Sequence, residues 1–351
     1  MHMADALLAP AVAATMYVAS GTAAGISLRK LKNDDEPRKL PTMAVTAALV
    51  FAGQMINYTI PGTGSSGHMC GGMLLSALLG PQAGFLSMIV ILAIQCLFFA
   101  DGGLMALGAN IWNMAFYGCF VGYYLIWRPI VRSRLFGEGK SAVRMRVILA
   151  SILGCVVTLQ LGAFSVVLET SLSGITDLPF GAFTALMQPI HLAIGIVEGL
   201  ITSAVLCFVL ESRPELLQCV DADGEAIRGR YSLRTTVAVL AVTALVVGGG
   251  LSLLASSSPD GLEWALFGNE EAGYARNMGL DEEEFGISSQ AADTAGSIQE
   301  ATSFLPDYAF PESDSPAGTS VSGIVGCIMV AGAAVLICMG GGFFRNRQAG
   351  S

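Results

Sequence analysis

Apolar residues in this chain come in long unbroken runs, at roughly 7–28, 42–60, 69–79, 82–100, 103–127, 147–168, 182–210, 236–255 and 321–344. An apolar helix of ~20 residues crosses a bilayer, and every run except 69–79 is long enough to do so. The pattern predicts an all-α integral membrane protein, a polytopic helical bundle of eight to nine membrane segments. Composition agrees: 53% of the 351 residues are hydrophobic and 13% are charged, against about 25% charged in soluble domains. A water-soluble enzyme of this length is excluded.

Charge sets the sidedness. Of the 18 Lys and Arg residues, 17 fall in four intervals, 29–39, 128–146, 213–234 and 345–347, which the positive-inside rule places in the cytoplasm. The N-terminus and the segment 257–320 are then extracytoplasmic. That segment holds 13 of the 27 acidic residues and one base, Arg276, so the formal net charge of -9 reflects a single outer region. It reads either as a weak cation-gathering surface or as a solvated linker.

Parity adds a constraint. Between the basic intervals ending at Lys39 and starting at Arg128 the chain crosses an even number of times, yet it holds three full-length apolar runs. The segment 69–100 must therefore be broken or re-entrant, and Gly80-Pro81 is the natural break, because proline lacks a donor and disfavours helix in the residue before it. The arm 69–79 covers only about half of the ~30 Å hydrocarbon core, so protein must shield its backbone.

The N-terminus MHMADALLAP lacks the basic start and small-residue exit of a cleaved leader, so Met1 is expected to stay in place. The eight cysteines read as small apolar core residues, and no CxxC is present for a thiolate site. Three histidines remain, His2, His68 and His191. A free terminal amine, the amide nitrogen of residue 2 and the imidazole Nδ1 of His2 close two fused chelate rings around one metal. This leaves a position that His68 can fill. Its loop, 61–72, carries five glycines, which permit close approach of the backbone. Such an all-nitrogen set suits Cu(II), Ni(II) or Co(II) rather than Mg or Ca.

Four stretches together carry a family resemblance: Met1-His2-Met3-Ala4-Asp5-Ala6-Leu7-Leu8, the Gly67-His68 loop, Ala106-Leu107-Gly108-Ala109-Asn110, and His191-Leu192-Ala193-Ile194-Gly195-Ile196-Val197-Glu198-Gly199. They resemble the CbiM/NikM family, over about residues 1–211. Pro259-Asp260-Gly261-Leu262-Glu263 is similar to the PDGLE segment of the small CbiN/NikN component. The resemblance implies a substrate-capture subunit of an energy-coupling-factor importer for Ni(II) or Co(II). The ion is then cargo rather than cofactor, held by Met1, His2 and His68 at the outer face. It also implies a transmembrane coupling subunit and a pair of cytosolic ATPase subunits as partners, with no nucleic acid, and a bacterial or archaeal cytoplasmic membrane as the location. The chain divides accordingly into a metal-binding bundle at 1–212, a cytoplasmic linker at 213–233 and a two-span hairpin at 234–351. Many members have Ile and Pro-Asp-Gly where this chain has Met3 and Ala4-Asp5-Ala6, which leaves open how the terminus enters and whether Asp5 caps the first span.

Polar residues inside spans are functional candidates by default. His191 and Glu198, seven apart, share a helix face and read as a bundle-facing pair away from the outer surface. Asn110 and Asn113 read either as supports for the His68 loop or as interhelical hydrogen-bond formers. Gln95 and Asp101 lie at an outer end, where they cap or solvate. Small residues at Ala19/Ala23 and Gly21/Gly25 give the first span a face for close helix docking, which the resemblance assigns to the coupling subunit. Gly137-Glu138-Gly139-Lys140-Ser141 imitates the end of a phosphate-binding loop, but Arg134 stands where the earlier glycine belongs and no strand precedes it. No enzyme motif is present. Two competing readings are a membrane metal sensor or loading protein built on the same site, and a self-sufficient secondary transporter using His191 and Glu198.

Overall fold

A computed structural model describes residues 1–31, 39–175, 178–220, 229–269, 273, 286–311, 313 and 315–348. Much of the acid-rich stretch 270–285 and the linker residues 221–228 lie outside the described residues. The protein is an all-α integral membrane protein. Its helices are α1 (Pro10–Leu31), α2 (Lys39–Gln54), α3 (Gly72–Leu79), α4 (Pro81–Phe99), α5 (residues 107–131), α6 (Lys140–Leu172), α7 (Phe180–Ser212), α8 (Leu233–Gly249), α9 (Gly261–Phe267), α10 (Gln290–Thr302) and α11 (Ala317–Gln348). Five of them, α1, α4, α6, α7 and α11, are long and apolar enough to cross a membrane, and α2 and α8 are shorter apolar helices. Helix α5 is wound as π turns over Ile111–Trp127.

Each apolar run supplies one α-helix, with short separate turns at Asp5–Leu7 before the first and at Leu251–Leu254 after α8. The run 42–60 stops being helical at Gln54, and its end forms β1 (Tyr58–Ile60), paired antiparallel to β2 (Ser65–Gly67) with Tyr58 opposite Gly67. Gly62 and Gly64, with φ of 78° and 70°, turn the chain between them. A ribbon here rather than more helix brings the glycine-rich loop back over the bundle.

The break in 69–100 falls at Gly80, whose φ of 82° favours glycine, and Pro81 opens α4. Helix α3 has eight residues, all buried, and spans only about 12 Å. It is a half-length element enclosed by protein, as a short span in lipid requires. Gly72 lets it lie against α5: a methyl added at Gly118 would sit 2.9 Å from Gly72 Cα. Close packing recurs where α7 meets α6, since a methyl at Gly199 would stand 2.6 Å from Ile152 Cα. Helices α8 and α11 form the C-terminal hairpin, packing on each other and on α2.

Asp5 does not cap the first span. It opens a short turn, Asp5–Leu7, and α1 starts at Pro10, where the fixed proline φ suits a first helical position. Most of α1 is exposed; Gly21 and Gly25 have no neighbour within 4 Å, and Ala19 and Ala23 are half-buried.

Because α3 carries the His68 loop into the bundle, its seat on α5 positions everything at the loop. Gly118→Ala is expected to destabilise the protein by about 1–3 kcal/mol through overpacking, read as a lower melting temperature in detergent. An unchanged melting curve would contradict the assigned contact.

Candidate metal centre

The terminus is held inside the protein by main-chain pairing. Met3 N–H donates to Asn110 Oδ1 at 2.8 Å, Asn110 Nδ2 donates back to Met3 O at 3.1 Å, and Gly103 N–H reaches the same carbonyl at 2.9 Å. One side-chain amide thus serves residue 3 as a neighbouring strand would. Asp5 Oδ1 accepts Ala106 N–H at 2.9 Å, and the buried Met1 and Met3 side chains add apolar anchorage. Asn113 Nδ2 lies 3.6 Å from Met3 Sδ and donates to Glu169 Oε2 at 2.8 Å. Of the two readings of these asparagines, the contacts are those of hydrogen-bond formers: Asn113 bridges to Glu169 of α6, and Asn110 pairs with the terminus rather than with the His68 loop.

The loop is held by Glu198 instead. Its two carboxylate oxygens accept the amides of Cys70 at 2.7 Å and Gly71 at 2.9 Å, while Gln54 Nε2 donates to Cys70 O at 2.7 Å. Gly67 lies so close to α7 that an added methyl would stand 2.5 Å from Ile194. His68 Nδ1 is 3.1 Å from Met69 O. A carbonyl only accepts, so Nδ1 carries the hydrogen and Nε2 presents its lone pair. That Nε2 lies 3.4 Å from the Met1 nitrogen, and the rings of His2 and His68 stack at 5.3 Å between centroids. Met1, His2 and His68 thus come together, 67 residues apart in the chain.

His2 is turned differently from what a closed chelate needs. Its Nδ1 contacts Asp101 Oδ1 at 3.0 Å, and Nε2 is buried with no hydrogen-bond partner. Tyr308 donates to the other oxygen of Asp101 at 2.6 Å. Asp101 is therefore a neighbour of the candidate ligands rather than a helix cap.

Asp260 is the residue the sequence reading missed. Its Oδ2 lies 2.5 Å from the terminal nitrogen, while Oδ1 caps α9 by accepting Leu262 N–H at 2.7 Å and Glu263 N–H at 2.9 Å. Glu263 returns the favour to Asp260 N–H at 3.1 Å, completing a capping box. The strap before it pairs with β2, Ser66 N–H donating to Pro259 O at 2.8 Å. The D-x-x-E spacing signals the cap, but nothing local signals that the carboxylate's second oxygen meets the chain terminus 259 residues away.

Burial alone would lower the ammonium's pKa, yet the charge and hydrogen bond of Asp260 outweigh it and leave the Met1 amine above its ordinary value. Burial would raise the Asp260 carboxyl, and the ammonium more than reverses that. The pair's stabilisation is thus present above the ordinary carboxylate range and is lost as pH falls below it; it is likewise lost as pH rises through the raised amine pKa. His68 is pushed down to about 3, by burial first and then by the ammonium and His2, and His2 is lowered mainly by burial. Burial thus favours the neutral form of both rings, the form in which an imidazole ligates a metal.

His191 and Glu198 do not act as a pair. Glu198 is spent on the loop amides, whereas His191 lines a cavity of about 10 Å³ together with Met1, His68, Asp260 and Gly261. Their helix face meets the loop and the terminus because α3 is short and the His68 loop lies against α7. Among the described residues no three His, Cys, Asp or Glu side chains are gathered as a metal would need.

Residues 2–216 match a family described as the cobalt uptake substrate-specific transmembrane region, and residues 234–340 match the PDGLE domain. The chain is similar to a fused nickel transport protein of Archaeoglobus fulgidus, 36% identical over 94% of this chain and 95% of that one. It is also similar to the fused nickel transport protein NikMN of Rhodobacter capsulatus, 31% identical over the same shares of each chain. A crystal structure of a truncated transition metal transporter superposes with a TM-score of 0.52 at 31% identity, covering 60% of this chain and 99% of the other.

Since Asp260 holds the amine in its charged form, Asp260→Asn is expected to move the amine's titration midpoint to lower pH. Amine-selective labelling of the folded protein across a pH series reads this directly, and an unmoved midpoint would contradict the pairing.

Proposed function

The chain belongs to the cobalt-uptake substrate-specific transmembrane family, a family of nickel and cobalt transport proteins, and from that premise we propose that it captures Ni(II) or Co(II) outside the cell for an energy-coupling-factor importer. It is a multi-pass membrane transport protein. The observation that carries the finer reading is the buried amine lying 3.4 Å from a lone-pair-bearing imidazole nitrogen, with a second imidazole stacked on the first. The set is nitrogen-rich, small and neutral apart from the ammonium, which suits a late first-row divalent ion.

For an ion to be held by Met1, His2 and His68, three exchanges are needed. The amine gives up a proton and its contact with Asp260; the residue-2 amide gives up a proton; and His2, whose Nδ1 hydrogen faces the Asp101 carboxylate, changes to the tautomer protonated at Nε2 so that Nδ1 leaves Asp101 and closes the ring with that amide. Binding therefore releases protons and strengthens with rising pH. Asp260, freed from the ammonium, still faces the site as an anion beside a cation. The PDGLE strap thus stabilises the empty site in its protonated form and is positioned to report its occupancy to the C-terminal hairpin.

The remaining parts follow the same reading. The N-terminus and the 257–320 segment are extracytoplasmic and the C-terminus cytoplasmic, in keeping with the distribution of Lys and Arg. The coupling subunit docks on α1, whose small residues, the exposed Gly21 and Gly25 and the half-buried Ala19 and Ala23, permit close helix approach. A pair of cytosolic ATPase subunits supplies the energy, and the metal is cargo.

Reconstituted vesicles test this. Ni(II) uptake is expected only with the coupling and ATPase subunits and ATP present, and His68→Ala is expected to reduce it by roughly 10- to 100-fold, the scale of damage to a metal site. Uptake by this chain alone would contradict the capture role.

A further inference from the structure

Where α5 gives way to α6, at the end of α5 away from the amino terminus, residues 128–146 carry six of the 18 bases and one acid, Glu138. One of these bases is buried: Arg146, two turns into α6, is 4% exposed. Its Nη1 donates to Ser133 O, but its Nε is buried with no hydrogen-bond partner. Among the described residues no carboxylate pairs with it. A buried cation without an anion is costly. With Nη1 in use, the Nε–Nη2 edge remains, the edge with which a guanidinium takes two oxygens of a phosphate at once.

Arg146 lines a cavity of about 380 Å³ together with Arg132, Arg134 and Glu138 from the α5–α6 connection and Cys219 and Val220 from the segment after α7. Three positive charges against one negative make it a cationic cavity. Its wall is already fixed: Trp127 Nε1 donates to Gln218 O at 3.0 Å, Gln218 N–H donates to Ala77 O at 2.8 Å, and Tyr123 Oη lies 3.3 Å from Cys219 Sγ. The rim adds an apolar tip. Leu135 and Phe136, directly after Arg134, are 46% and 53% exposed, and Gly137 N–H closes the turn on Arg134 O at 3.0 Å. Phe136 is held at a φ of 68°, which a bulky residue seldom adopts. Bases beside outward apolar side chains are the make-up of a segment lying in a membrane interface, with charges at the headgroups and apolar groups in the acyl boundary. A small soluble anion would need the arginines but not the tip.

We propose that this cavity binds the phosphate of an anionic phospholipid from the adjoining leaflet, with Arg146 taking two of its oxygens, the exposed Arg132 and Arg134 at the mouth, and Leu135 and Phe136 among the acyl chains. Basic pockets between membrane helices recognise lipid headgroups in this way. The lipid supplies the anion that Arg146 lacks and joins α5, α6 and the segment after α7. That segment also holds the end of α3, through Gln218 and the carbonyls of Ala77 and Leu78. A lipid bound here therefore braces the half-length helix that carries the His68 loop, and stabilises the fold by binding it in preference to the unfolded chain.

Melting of the full chain in detergent, titrated separately with phosphatidylglycerol, phosphatidylcholine and inorganic phosphate, tests the assignment. Phosphatidylglycerol is expected to raise the melting temperature saturably, and the zwitterionic lipid and free phosphate to do so far less at equal concentration. Arg146→Gln is expected to weaken the phosphatidylglycerol response by about tenfold or more, the scale of a hydrogen bond to a charged group. Arg132→Gln and Arg134→Gln, at exposed positions that leave the core intact, are expected to weaken it by about fivefold each, and Leu135→Ser with Phe136→Ser to weaken it as well. A phosphatidylglycerol response that none of the arginine variants alters overturns the site. Equal stabilisation by inorganic phosphate, unaffected at Leu135 and Phe136, overturns the lipid in favour of a free anion. Arginine variants that bind phosphatidylglycerol normally but lose a partner subunit on purification overturn it in favour of a protein carboxylate.

Discussion

A free amino terminus inside a membrane protein carries a positive charge into a place where charge is costly, and the ion pair between Met1 and Asp260 makes that tolerable. Much of the arrangement around the terminus follows from this one contact. The terminus must be led inward, which Asn110, Gly103 and the side chain of Met3 accomplish. The carboxylate must be led to it from far along the chain, which the pairing of the Pro259 strap with β2 and the capping box of α9 accomplish. The half-length helix α3 provides the depth, because a full span there would fill the space that the loop and the terminus occupy.

The same contact links the two parts of the chain. The amine belongs to the family region matched at 2–216 and the carboxylate to the PDGLE region matched at 234–340, and Tyr308 adds a second tie through Asp101 to His2. On the proposed reading, a divalent ion at the amine would compete with a proton for the nitrogen, and its charge would stand where the ammonium stands, with Asp260 as the anion for either occupant. Buried pairs of this kind contribute little net stability but penalise the loss of either partner, which suits a contact whose role is to hold one arrangement rather than to add to the folding free energy.

Much of this was legible in the residues. Apolar run lengths give the helices, Gly80-Pro81 marks the break, and the rarity of histidine draws attention to His2 and His68. The missed features share a cause: they depend on three-dimensional juxtaposition that spacing along the chain does not encode. Asp260 caps its own helix, a local role that hides its distant one. Asn110 and Asn113 lie correctly on one face, but which partner that face meets is decided by how the terminus folds in. His191 and Glu198 share a face and seven-residue spacing, yet one binds backbone amides and the other opens on the cavity, because α7 passes both the loop and the terminus. Asp5 looks like a helix cap from sequence, but Pro10 is the better start for α1 and Ala106 N–H is within reach of its carboxylate.

The central claim is that the amino terminus itself is part of the metal site, and calorimetric titration of the purified protein with Ni(II) and Co(II) tests it most directly. Native protein is compared with a variant bearing one extra residue before Met1, which moves the free amine out of register with His2 while leaving every side chain unchanged. The account predicts that tight binding of both ions is lost on extension. Undiminished binding would contradict it.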